Sequence, residues 1–152
     1  MSSTRATIET ILIKRRSATM IFAGLDGTTF DGSNSDLNDP IGYGIRKVGS
    51  TVSDPSNVAD SDLAAVADNL FDALLDVSEL RLLRNIRGNL DLVDTTAGPL
   101  SESLSQVASQ VGRDIIELQA FIKDEYGLGG LTMEADVIRQ DFAEHDDTVS
   151  DI

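Results

Sequence analysis

Four aspartates, Asp26, Asp31, Asp36 and Asp39, crowd one stretch rich in glycine, serine and asparagine. Carboxylates at that density are the ligands a hard cation such as Ca2+ takes. Their order departs from the EF-hand loop. Counting from Asp31, the glycine position holds Asp36 and the bidentate glutamate position holds Gly42. The stretch therefore reads as a hydrated acidic loop, with no metal. His145, the only histidine, sits among Glu144, Asp146 and Asp147 near the C-terminus, where nothing holds it in the geometry that general base catalysis requires. Cysteine is absent, which removes thiolate nucleophiles, disulfides and Cys-based zinc sites and leaves the redox compartment unreadable. Ile41-Gly42-Tyr43-Gly44 has neither the spacing nor the G-K-S/T ending of a phosphate loop. No catalytic residue, cofactor or metal ligand is expected, and the chain reads as a protein that is not an enzyme.

Arg81, Arg84 and Arg87 form a different kind of cluster. On a helix, only Arg87 has an acid four positions away, at Asp91, so their partners are expected on another chain. The planar guanidinium fork suits interfacial pairing with carboxylates. With Leu82, Leu83 and Ile86 they are assigned to a subunit interface; a solvated positive face is the plainer alternative.

The elements that must carry these residues are helical. Thr4 can cap a helix over about 5–22, with Ile8, Ile11, Leu12, Ala18 and Phe22 at helical spacing and Lys14, Arg15 and Arg16 projecting outward. Residues 24–39 form a long loop. Asp39-Pro40 opens a short helix whose Ile41, Ile45 and Val48 share one face until Gly49 stops it. Asp54-Pro55-Ser56-Asn57 is a turn, and Asp60 or Ser61 can cap a helical turn through Val66.

A long helix is expected from Asp68. Leu70, Phe71, Leu74, Leu75 and Val77 lie on one face, and then the apolar face rotates to Leu82, Leu83, Ile86 and Leu90. Such a pattern implies either a kink near Ser78 or different partners along its length, and sharing between copies is the favoured reading. After Gly98-Pro99, a second long helix from Ser101 to about Tyr126 carries a seam of Leu104, Ala108, Val111, Ile115, Leu118 and Ile122. The two should form an antiparallel hairpin, ended by Gly127, Gly129 and Gly130. The expected fold is all-α: a small helical bundle with a long antiparallel hairpin over residues 1–130, and an acidic extended C-terminal arm over 131–152. That arm carries one arginine against seven acids. In it Leu131, Val137, Ile138, Arg139 and Phe142 are the residues expected to order on a partner, by strand addition.

At 152 residues, one domain with appendages is the natural division. No apolar run approaches a membrane span, and Lys14, Arg15 and Arg16 interrupt the first segment, so neither a membrane anchor nor a secretory leader is expected. The net charge is −14, with acids mostly Asp and only Lys14, Lys47 and Lys123 as lysines, a composition that looks like proteins of halophiles. Concentrated salt shortens the Debye length to roughly 3 Å at 1 M and relieves the self-repulsion of such a chain. Electrostatic wrapping of nucleic acid is disfavoured, because it needs a basic stripe.

The order of parts resembles the head-to-tail connector, or adaptor, proteins of tailed viruses. The segments concerned are the opening helix, Asp36-Leu37-Asn38-Asp39-Pro40-Ile41, Leu74-Leu75-Asp76 to Glu79-Leu80-Arg81, Gly98-Pro99-Leu100-Ser101-Glu102-Ser103, Glu125-Tyr126-Gly127 and the C-terminal arm. The resemblance spans nearly the full chain, through motifs that are structural and weakly specific. It implies a homo-oligomeric ring, commonly of twelve copies, assembled in the host cytoplasm and located in the virion neck at the capsid portal vertex. Its partners would be the portal protein, gripped by the arm, and the next neck or tail protein. DNA would pass through the lumen without specific binding. The competing classes are a cellular helical adaptor without catalytic activity, a metal enzyme built on the acidic loop, and a DNA-binding protein.

Overall fold

The computed structural model describes residues 3–94 and 101–128. The proposed inter-helix turn at 95–100 and the arm residues Leu131, Val137, Ile138, Arg139, Phe142 and His145 lie outside the described residues. Among the described residues the chain is all-α, with five α-helices, two 3-10 turns and no strand.

Helix α1 runs Arg5–Phe22, and the Thr4 hydroxyl accepts the Thr7 N–H to cap it. A 3-10 turn, Ser35–Leu37, leads directly into α2, Asn38–Lys47. Helix α2 therefore starts before Pro40, which sits in the first turn, where a missing N–H costs nothing. Asp39 lies in that first turn and Arg46 and Lys47 in the last, charges that complement the helix dipole. A short α3, Asp60–Ala64, and a 3-10 turn, Asp68–Leu70, precede the two long helices α4, Phe71–Asp94, and α5, Ser101–Tyr126. Helices α2 and α5 both end at glycines with positive φ, Gly49 (95°) and Gly127 (66°), a backbone state that costs other residues more.

Helix α4 is the centre of the molecule. It packs most extensively on α2 and α5 and also meets α1. The expectation of a kink near Ser78, or of partners on other chains, is corrected: α4 is one uninterrupted helix whose rotating apolar face is covered within the same chain. Residues Leu74, Leu80, Leu82, Leu83 and Ile86 are all fully buried in this core with Ile8, Leu12, Ile41 and Ile45. A helix hydrophobic on several sides is one surrounded by neighbours, and here three helices of the same chain surround it.

Helices α4 and α5 run antiparallel. The Tyr126 hydroxyl, at the end of α5, donates to Asp76 near the start of α4 at 2.6 Å. The seam residues Leu104, Val111, Ile115 and Ile122 of α5 are buried, with Ala108 and Leu118 partly so. The α2–α4 crossing is close because Gly44 has no side chain. A Cβ there would overlap the Ser78 hydroxyl and lie 2.9 Å from the Leu74 carbonyl oxygen.

Candidate functional site

Two polar knots, one buried and one nearer the surface, tie the helices together. In the first, Arg5 (3% exposed) and Glu9 (0% exposed), one turn apart on α1, pair at 2.9 Å. The Arg5 guanidinium also donates to the carbonyls of Val58 (2.9 Å) and Asn34 (2.5 Å) and to the Asn38 side chain. Glu9 accepts the N–H groups of Gly32 (2.6 Å) and Asn34 (3.0 Å). A buried charge pair is stable only when its remaining hydrogen-bonding capacity is met. This one is met by the acidic loop, the start of α2 and the segment before α3.

In the second knot Arg15 stays exposed, as expected, and Arg16 is partly covered, but both are ion-paired across helices, which their outward placement did not foresee. Arg15 bonds Glu79 at 2.7 Å and Asp76 at 3.2 Å; Arg16 bonds Glu79 at 2.7 Å and Asp114 at 2.8 Å. These side chains pin α1 to both α4 and α5. Burial first, then the Asp76 carboxylate that accepts its hydroxyl, raises the pKa of Tyr126.

The loop over 24–34 is ordered by its own aspartates. Asp26 accepts the N–H groups of Thr28 and Thr29, both at 3.0 Å, and the donors on Thr29 and Thr28 hold its carboxyl down at about 2. Asp31 accepts from Ser33, and Asp36 accepts the Asp26 N–H at 2.8 Å. Asn34, almost fully buried, donates to the carbonyls of Asp26 and Thr29. The carboxylates face backbone donors and are separated among them; among the described residues no group of three or more His, Cys, Asp or Glu could hold a metal. Asp39, the fourth aspartate, is taken by Arg81.

The assignment of Arg81, Leu82, Leu83 and Ile86 to a subunit interface needs correction. Leu82, Leu83 and Ile86 are wholly inside one chain's core, because α1, α2 and α5 together enclose α4. Arg81 finds its carboxylate in the same chain: its Nε lies 2.8 Å from Asp39, a pairing that raises its pKa, and Asn85 donates to the same carboxylate at 2.9 Å. Its guanidinium also stacks over the Tyr43 ring, 4.9 Å from the centroid. Arg84 is half-buried and engaged, while Arg87 is exposed. Spacing along one helix could not reveal Asp39, which sits forty-two residues earlier.

What the fold leaves on its surface is uneven. On the α2 flank, Tyr43 lies between Arg81 and Lys47, whose ammonium is 5.4 Å from the ring centroid, and Arg46 is exposed beside them. On the other flank, Arg16, Asp114, Glu117, Leu118 and Phe121 line an open cleft of about 240 Å³ between α1 and α5. Among the described residues, large apolar side chains stay exposed at Ile21, Phe22, Phe30, Ile116 (68% exposed) and Phe121 (49% exposed). These residues were not singled out as surface features by sequence, since an apolar side chain reads as core until its neighbours are known. No helix among the described residues is long and apolar enough to cross a membrane. No known protein family matches the chain, and no curated protein or solved structure is detectably similar to it.

Proposed function

We propose that the protein is a structural connector of a tailed virus, a ring of copies in the virion neck between the portal and the next neck or tail protein, extending the DNA channel. The observation that carries this reading is the combination of a completed core with uncovered Ile21, Phe22, Phe30, Ile116 and Phe121. In a ring these side chains would supply apolar contacts between neighbours, a role the reading assigns to them and that singly exposed apolar residues do not by themselves require. The antiparallel α4–α5 pair and the Gly127 stop agree with the order of parts that carries the resemblance. The chain's acidity suits a conduit, because like charge keeps the duplex from adhering to a wall. The arm over 131–152 would grip the portal by adding main-chain hydrogen bonds at an exposed edge.

The test is native mass in molar KCl, for the protein alone and mixed with the candidate virus's portal, using the full chain and one ending at Gly130. A large stoichiometric complex that needs residues 131–152 supports the connector and its arm. A monomer indifferent to portal in both forms sinks the reading and favours a cellular helical adaptor.

A further inference from the structure

The two flanks of α4 present complementary chemistry. Positions 74, 78, 81 and 85 of α4 share one face and meet α2, through the contacts of Gly44, Tyr43 and Asp39. Asp76, which meets Tyr126 of α5, lies about 200° round the helix from Leu74 at 100° per residue. Helices α2 and α5 therefore occupy opposite sides of the molecule.

On the α2 side the last turn ends in Arg46 and Lys47, both exposed, next to the half-buried Tyr43 ring. They are two adjacent exposed cations in a chain of net charge −14. On the α5 side, the cleft against α1 has one wall of the half-exposed Phe121 ring and another of Glu117. Arg16 is already committed to Glu79 and Asp114. Glu117 is exposed and makes no hydrogen bond or ion pair among the described residues. An aromatic face beside an unpaired carboxylate fits a cation on an apolar stem, which packs its methylenes and offers its charge to both.

We infer that the α1–α5 cleft of one copy receives the Arg46–Lys47 end of α2 from a second copy, in a heterologous contact. The inference rests on the oligomeric reading above and names its surfaces. Contact between two different patches leaves each copy with one free donor and one free acceptor edge, so it propagates, closing into a ring where the rotation allows. An isologous dimer through either patch would set Arg46 and Lys47 against their own copies, or Glu117 against its own, like charge against like. Ile116, on the outer side of α5, remains for another neighbour.

The absence of cysteine makes the test clean. Lys47→Cys and Glu117→Cys are introduced singly and together, and the full chain is oxidised at low salt and in molar KCl. Because the two positions lie on opposite flanks, any disulfide between them joins different copies. The double variant should give a ladder of covalent oligomers, and each single variant at most a weak dimer, while an equimolar mixture of the singles gives a 1:1 dimer. In parallel, Lys47→Glu and Glu117→Lys should each weaken self-association roughly tenfold or more, and the double reversal should restore it. No ladder in the double variant, or single-variant dimers as abundant as the ladder, overturns the inference. A ladder without portal binding would leave this contact standing and remove the connector. Portal binding without a ladder would do the reverse.

Discussion

Gly44 of α2 lies directly against Ser78 of α4, so close that no side chain fits between the helices. The Ser78 hydroxyl is itself buried and makes no hydrogen bond. Close approach of the two backbones, rather than a polar bond, is what this pair contributes, and it lets Ile41 and Ile45 reach the core around α4.

Gly44→Ala should therefore destabilise the fold by about 1–3 kcal/mol, the usual cost of forcing extra volume into a packed interior. Ser78→Ala should be neutral or stabilising, because it removes an unsatisfied buried hydroxyl at a cost of little volume. Chemical denaturation in molar salt measures both. The double variant should recover only part of the loss, since the Leu74 carbonyl and side chain still crowd position 44. An unchanged midpoint for Gly44→Ala would contradict this packing.

Breaking the Arg5–Glu9 pair should cost about 3–5 kcal/mol, because either partner alone is an uncompensated buried charge. Glu9→Ala should also release Gly32 and Asn34, whose N–H groups it accepts. Hydrogen exchange would then accelerate at 32 and 34 by more than at the ends of α4. Equal acceleration throughout would mean that Glu9 supports global stability alone.

Asp62 should make stability fall in acid. Its carboxylate accepts the N–H of Ala59 at 3.0 Å and the N–H and hydroxyl of Ser53 at 3.1 Å, and these donors, Ala59 first, hold its pKa below the ordinary value. A carboxyl depressed in the folded state adds stability that is complete above its unfolded pKa, near 4, and is lost as pH falls through the lower folded value. Asp62→Asn should thus be less stable than the parent at pH 7, with the gap narrowing below pH about 4. A gap independent of pH would assign the loss to geometry instead of charge.

Gly88→Ala should stabilise the chain by about 0.5–1 kcal/mol, since Gly88 is an exposed interior position of α4 where a Cβ meets nothing within 4 Å. Thermal unfolding would register the gain. A loss would indicate that something approaches this surface in solution.

Local signals placed the helices well. Thr4 as a cap, the spacing of Ile8 and Leu12, the stop at Gly49 after Ile41 and Ile45, and the seam from Leu104 to Ile122 all act between residues three or four apart, or at a single backbone position. Such interactions are written in order along the chain, so a reader of the residues alone can find them. The absence of a thiol, the acidic balance and the arginine triplet are likewise properties of the sequence itself.

Partnership across the chain belongs to the tertiary structure. That α4 is enclosed by its own chain, that Arg81 reaches Asp39, that Arg15 and Arg16 both pair with Glu79, and that Glu9 organises a loop more than twenty residues away all depend on how helices cross. The crossing is set by the shape of many side chains together, with Gly44 permitting the closest approach. A rotating apolar stripe records that α4 has several neighbours, but whether they come from the same chain or another is decided only when the helices are brought together.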